Sequence, residues 1–250
     1  MKRKVVCIIQ ARIGSTRLPG KVLLPLEGKA VILHDVDRVL AAKTVDAVVV
    51  ATTVQPADQK IIDVINGYDA RVSTFRGSEE DVLDRYYKAA KEAQADVVIR
   101  ITSDCPLIDP VVIDRVVSAF LDTPDIDYVA NVLGEHTYPN GMDIEVVAFP
   151  ILEQLWKNTT DPFDREHVTV YIKKYPEQFK TKNIKNGVDY SFHRWTLDEE
   201  KDFQLISYVY KKLYAQNPLF TMEDVLKLFD ENPALITMNQ DVQQKNPQFG

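Results

Sequence analysis

Short apolar runs alternating with amphipathic stretches mark the first half of this chain. Residues 5–10 read as a strand, and residues 31–42 carry apolar side chains at helical spacing. Residues 47–52 (Ala-Val-Val-Val-Ala-Thr) form a continuous run of the kind buried on both faces of a sheet. Residues 56–66 predict a helix stopped by Gly67, residues 71–75 a short strand, and residues 79–93 an amphipathic helix opened by Ser78 as its N-cap. A further buried strand is expected at 96–101, and Asp109 is expected to cap a helix over 111–120. Repeated strand–helix units imply a three-layer α/β/α fold with a mostly parallel sheet, and ligands bind beyond the carboxyl ends of such strands.

The rhythm changes after about residue 125. Short strands are expected at 128–131 and 143–149, separated by a turn rich in Pro, Asn and Gly. Helices are expected at 150–158, 165–175, 198–216 and 222–232, and a strand at 191–196. One domain over residues 1–238 follows, with residues 128–190 as a small antiparallel insertion and 239–250 as a frayed polar tail.

Between the first strand and the first helix, residues 8 to 21 read Ile-Ile-Gln-Ala-Arg-Ile-Gly-Ser-Thr-Arg-Leu-Pro-Gly-Lys. Gly14 and Gly20 allow close approach of backbone N–H groups, and Arg12, Arg17 and Lys21 add three cations. Such a loop at a strand's carboxyl end is suited to a polyphosphate. It is neither a Walker loop nor Gly-x-Gly-x-x-Gly. A second constellation, Thr102-Ser-Asp-Cys-Pro, places Asp104 at the end of a strand before a proline, where a carboxylate is suited to a hard cation.

The stretch from Gln10 to Lys21 resembles the nucleotide loop of the cytidylyltransferases that activate acidic sugars such as sialic acid and Kdo. It is closest to the branch associated with spore-coat polysaccharide biosynthesis, with Thr16 standing where the sialate enzymes carry a lysine. The resemblance implies a nucleotide-diphospho-sugar transferase fold and transfer of CMP from CTP to an acidic sugar or a sugar or polyol phosphate, releasing pyrophosphate. Arg12, Arg17 and Lys21 are then the catalytic cations, with Gln10, Ala11, Gly14 and Ser15 lining the nucleotide. Asp104 matches the family's Asp-x-Pro segment. Asp198, in Asp198-x-x-x-Asp202, matches the family's second metal carboxylate, so Mg2+ is the implied cofactor. Asp198 is also suited to cap the helix that follows it, and Asp202 reads as structural.

Phe75-Arg-Gly-Ser-Glu-Glu-Asp-Val-Leu-Asp-Arg resembles another signature of this branch, making Arg76 and Ser78 nucleotide candidates. Arg85 either reaches the ligand or pairs with Asp81 at i,i+4. Asp143 and Glu145 fall on one strand face and line an acceptor pocket by resemblance, or form a polar outer face. His167, in Asp164-Arg-Glu-His-Val-Thr, is either an acceptor contact, with Arg165, or part of a homodimer contact. His34 and His193 read as structural or surface groups.

Composition narrows the field. The chain has 250 residues, 45% of them hydrophobic, and a net charge of −7, which argues against a general nucleic-acid binder. No run approaches the roughly 20 apolar residues that span a bilayer, and the basic start is followed by no small-residue cleavage site, so a cytoplasmic protein is expected. Cys7 and Cys105 lie far apart; Cys7 reads as a small core residue and Cys105 as a partly exposed thiol. Two rivals stand beside the transferase. A glycosyltransferase of similar architecture would want Asp-x-Asp at a strand end, but Asp35-Val-Asp37 falls in a helix and Asp125-Ile-Asp127 precedes a strand. A non-catalytic nucleotide-sensing module would bind CTP without turnover.

Overall fold

The computed structural model describes residues 2–243. One sheet of seven strands organises the molecule: β1 (Val5–Gln10), β2 (Ala47–Thr53), β3 (Val72–Gly77), β4 (Val97–Thr102), β5 (Tyr128–Ala130), β6 (Glu145–Ala148) and β7 (Thr181–Asn183). Their order across the sheet is β3-β2-β1-β4-β6-β5-β7. The first four are mutually parallel; β6 runs antiparallel to both β4 and β5, and β7 is parallel to β5. The helices are α1 (Val31–Ala41), α2 (Gln59–Ile65), α3 (Val82–Glu92), α4 (Pro110–Leu121), α5 (Phe149–Asn158), α6 (Pro162–His167), α7 (Val170–Lys174), α8 (Glu200–Leu213) and α9 (Met222–Glu231).

Alternation along β1 explains the layering. Val5, Cys7 and Ile9 face one core with α1, α4, α8 and α9, while Val6 and Ile8 face a second with α3 and α5. Both faces are dry, so the strand tolerates no polar residue until Gln10 at its end. Because the chain moves from β1 outward to β2 and β3, then returns to the other side of β1 with β4, a topological switch point opens between β1 and β4. The register pairs Gln10 with Thr102, so the glycine-containing loop and the Asp104 segment leave the sheet side by side.

Several local expectations change. The third helix begins at Val82, capped by the Asp81 carboxylate; Ser78 caps only the turn before it, its Oγ accepting from Asp81 N. Residues 191–196 form no strand and meet Asn140 through a single bridge. The helix expected over 165–175 is two pieces broken at Val168, and α8 starts at Glu200 with Glu199 as its N-cap. A small hairpin pairs Pro25–Leu26 with Lys29–Ala30, which the sequence reading did not anticipate. Asp109 caps α4 as expected, and its other oxygen accepts from Met222 N. Cys105 is buried, not partly exposed. Asn239, expected to open a frayed tail, is also buried; residues 244–250 lie outside the described residues. No described helix is long and apolar enough to cross a membrane.

Candidate active site

An open cleft of about 1070 Å³ lies over the switch point. One wall is the loop after β1, contributing Gln10, Ala11, Arg12, Gly14, Ser15, Arg17 and Lys21. Thr102, Ser103 and Asp104 form the floor with Asp198, and Glu79, Glu80, Arg85, Phe163, Glu166 and His167 close the far side.

The loop is pinned from below. Buried Asp58 accepts from Ile13 N at 2.8 Å and, with its other oxygen, from Thr53 at the end of β2. The Ile13 carbonyl then accepts from Ser15 N and Gly20 N. Gly20 adopts φ +70°, the left-handed region open to glycine, and so turns Lys21 inward. A Cβ at Gly14 would meet only Glu79, at an ordinary contact of 3.9 Å, so the fold itself leaves room for a side chain there.

Lys21 joins the two carboxylates. Its Nζ lies 2.9 Å from Asp104 Oδ2 and 3.0 Å from Asp198 Oδ1, and donates to the Leu197 carbonyl at 2.7 Å. Burial pulls its pKa down, but the two carboxylates outweigh burial and hold it above the ordinary lysine value. Asp198 also pairs with Arg17 and Arg194, each at 2.9 Å. Burial raises its pKa, and the cations, Lys21 foremost, overcome that and leave it below the usual carboxylate range. Arg12 is half-exposed and meets Glu79 at 3.3 Å. The expected loop residues and both candidate aspartates therefore meet in one place.

Two oxygen-only donors held around one cationic point suit a hard divalent ion. Mg2+ commonly uses one or two carboxylates and completes its shell with water and substrate phosphates. No cluster of three or more acidic, His or Cys ligands occurs among the described residues. The donor set thus fits an ion that arrives with a polyphosphate.

Asp198 owes its place to two features. Arg194 bridges it to Asp202, which is fully buried and accepts from Asp198 N and Glu199 N. Gly141, at φ +102°, lets the 140–142 turn press against residues 195–196, where a Cβ would sit 2.7 Å from the Trp195 carbonyl carbon. The Pro-Asn-Gly turn, expected from sequence only to separate two strands, also braces the backbone that carries the second carboxylate.

Four expected residues lie off the cleft. Arg76 spends its guanidinium on the Thr53 and Gln55 carbonyls and Gln59, tying β3 to the start of α2. Ser78 is consumed in its turn. Glu145 is buried and bound by Arg100, Lys173, Tyr128 and Thr169. Burial raises its pKa, but Lys173 and Arg100 drive it well below the ordinary glutamate value. It is a buried ion-pair centre with no oxygen to spare for a sugar hydroxyl. Asp143 precedes β6, half-exposed beside His136, so the two acids share no surface.

His167 does reach the cleft, at the end of α6. Val168 after it sits at φ 57°, ψ −63°, with Thr169 N donating to the His167 carbonyl at 2.6 Å, a strained γ-turn for a β-branched residue. Thr169, tied to Glu145, clamps that turn. Burial first, then Arg100 and Lys173, lower the His167 pKa against Glu166, so its imidazole is neutral near pH 7. Arg165 contributes nothing to the cleft: it pairs with Asp81 and donates to the Trp156 and Thr159 carbonyls.

With Asp81 so occupied, Arg85 turns elsewhere. It is 97% buried (3% exposed), lines the cleft, donates to the Ser78 carbonyl and leaves Nε without a hydrogen-bond partner. Gly77 makes room for it, since a Cβ there would lie 2.9 Å from Arg85 Cγ. Burial lowers its pKa. Sequence reasoning left this residue between two roles, and missed Asp58 and Arg194 altogether.

The family model for cytidylyltransferases matches residues 6–217, a span containing the loop, both aspartates and Arg85. The chain belongs to the cytidylyltransferase family. It is 36% identical to an uncharacterized protein of Methanocaldococcus jannaschii over 97% of each chain. It is 32% identical to the spore coat polysaccharide biosynthesis protein SpsF of Bacillus subtilis, over 93% of this chain and 97% of that one. A solved cytidylyltransferase from Leptospira borgpetersenii superposes with TM-score 0.88 at 34% identity, covering 98% of this chain and 100% of that one. The chain therefore shares its architecture with that solved relative, and the expected three-layer fold with it.

Proposed function

We propose that the chain transfers CMP from CTP to an acidic sugar, or a sugar or polyol phosphate, and releases pyrophosphate, in the synthesis of a surface polysaccharide. The observation that carries this reading is the convergence of Arg12, Arg17 and Lys21 with Asp104 and Asp198 at the switch point. The family membership supplies the nucleotide, and the polysaccharide role is that of the Bacillus subtilis relative.

The chemistry needs position and charge. The triphosphate lies along the loop, where backbone N–H groups and three cations offset its charge. Arg17 and Lys21 stabilise the charge that builds on the α-phosphate and the leaving pyrophosphate as an acceptor oxygen attacks in line. No nucleophilic side chain is required. Asp104 and Asp198 would hold Mg2+, which supplies Lewis-acid neutralisation of the phosphate oxygens. Arg85 donates to the nucleotide from its buried position, and neutral His167 offers a hydrogen bond to the acceptor. A donor of neutral charge suits a hydroxyl of the acceptor. The enzyme works as a homodimer, as the family resemblance implies.

Pyrophosphate release tests this. Full-length protein with Mg2+ and each of the four common nucleoside triphosphates is assayed against acidic sugars and sugar phosphates. Acceptor-dependent pyrophosphate from CTP is expected. Release of free nucleotide from a sugar nucleotide would favour the glycosyltransferase, and binding of CTP without turnover on any acceptor would favour the sensing module.

A further inference from the structure

We propose that residues 239–243 are a working part of the transfer site, with Asn239 as a positioning residue for Asp198. The proposal rests on the reading above and extends it to a stretch beyond residue 217, where the family match ends.

Asn239 is 2% exposed although the chain around it is polar. Its Nδ2 donates to Asp202 Oδ1 at 2.8 Å and to the Arg194 carbonyl at 2.9 Å. Asp202 in turn takes Arg194 Nε on the same oxygen, and on the other oxygen both an Arg194 terminal nitrogen and the backbone N–H groups of Asp198 and Glu199. That terminal nitrogen of Arg194 also holds Asp198 Oδ2. The buried amide thus fixes the carboxylate and the backbone that together set the orientation of Asp198. Outer hydrogen bonds of this sort tune how a carboxylate presents itself to a metal.

The same segment touches the phosphate side. Asp241 pairs with Lys201 on α8, and the Gln243 carbonyl accepts from Arg17 at 3.5 Å. Arg17 itself holds Asp198. A segment that only closed the hydrophobic core would have no cause to reach a cleft arginine. This one meets both the cation that receives the triphosphate and the support of the second carboxylate, so ligand binding and segment order are coupled.

Amide hydrogen exchange on the full chain, with and without CTP and Mg2+, reads that coupling. Exchange is expected to slow several-fold both at residues 12–21 and at residues 239–243. Slowing of the loop alone overturns the proposal and leaves the transferase reading intact; no slowing at either place counts against the reading and the proposal together. Asn239→Ala and the near-isosteric Asn239→Asp then separate positioning from packing. Mn2+ affinity in the presence of CTP and kcat are each expected to fall roughly tenfold, with KM for CTP little changed. Wild-type Mn2+ affinity and kcat in a folded variant, whatever its melting temperature, overturn the proposal. If neither variant folds, the exchange measurement on the native chain decides.

Discussion

Lys21 Nζ lies 2.9 Å from Asp104 Oδ2, joining the loop that follows β1 to the end of β4 across 83 residues of sequence. Asp198 accepts from the same ammonium. A lysine so placed stays charged and keeps two carboxylates together that would otherwise repel, so the site is assembled before any ligand arrives.

Lys21→Ala removes that charge. The transfer rate is expected to fall by a factor on the order of 10²–10³. Mg2+ without nucleotide should raise the melting temperature of the variant more than that of the native chain, because the ion then takes over the lysine's role between the carboxylates. Equal shifts in the two proteins would contradict this.

Arg85→Met separates function from stability. A buried guanidinium facing the cleft with its Nε unpartnered is costly to the fold, so replacing it with an apolar side chain of similar length should leave the denaturation midpoint unchanged or higher. Calorimetric titration should show CTP binding weakened by roughly tenfold or more. Unaltered affinity would remove Arg85 from the site.

Gly141→Ala forces a Cβ against the Trp195 carbonyl carbon at a backbone angle open chiefly to glycine. A loss of about 2–3 kcal/mol in denaturant unfolding is expected. Activity should fall further than stability, since residues 195–196 lead directly into Asp198. A variant as stable as the native chain would show that the turn yields freely.

Acid should destabilise the protein through its histidines. Burial lowers the folded-state pKa of His34, His167 and His193 below the ordinary value near 6.5. The unfolded chain then takes up protons first as pH falls below about 6.5, so the stability present above that value is lost on acidification. The melting temperature is expected to drop between pH 7.5 and pH 5.5. A flat profile over that window would contradict the burial argument.

Much of this was legible in the sequence for identifiable reasons. The strands β1, β2 and β4 declare themselves because both faces are dry and their residues are almost all β-branched or aliphatic. The loop is legible because its glycines and cations fall at a strand–helix junction. Two caps in series, Ser78 and Asp81, shifted the start of α3, since either satisfies the same rule. Alternation at 191–196 mimics a strand, but among the described residues its β pairing is one isolated bridge to Asn140, too little for a ladder.

Tertiary pairing decided the remainder. Asp81 was open to Arg85 by helical spacing until Arg165, 84 residues away, took it. Glu145 looked like a polar face residue because nothing local shows that Arg100 and Lys173 enclose it. Asn239 sits in a stretch whose composition reads as solvent, and only the fold reveals the buried acid it serves.

The central claim is that the loop cations and two distant aspartates serve one triphosphate. A crystal of the full chain grown with CTP and Mn2+ tests it most directly, because the anomalous signal of manganese marks the ion without ambiguity. The account predicts one manganese peak bonded to both Asp104 and Asp198, with the triphosphate running from it past Lys21 and Arg17 along the loop. A manganese peak away from those carboxylates, or a triphosphate bound outside this cleft, would contradict it.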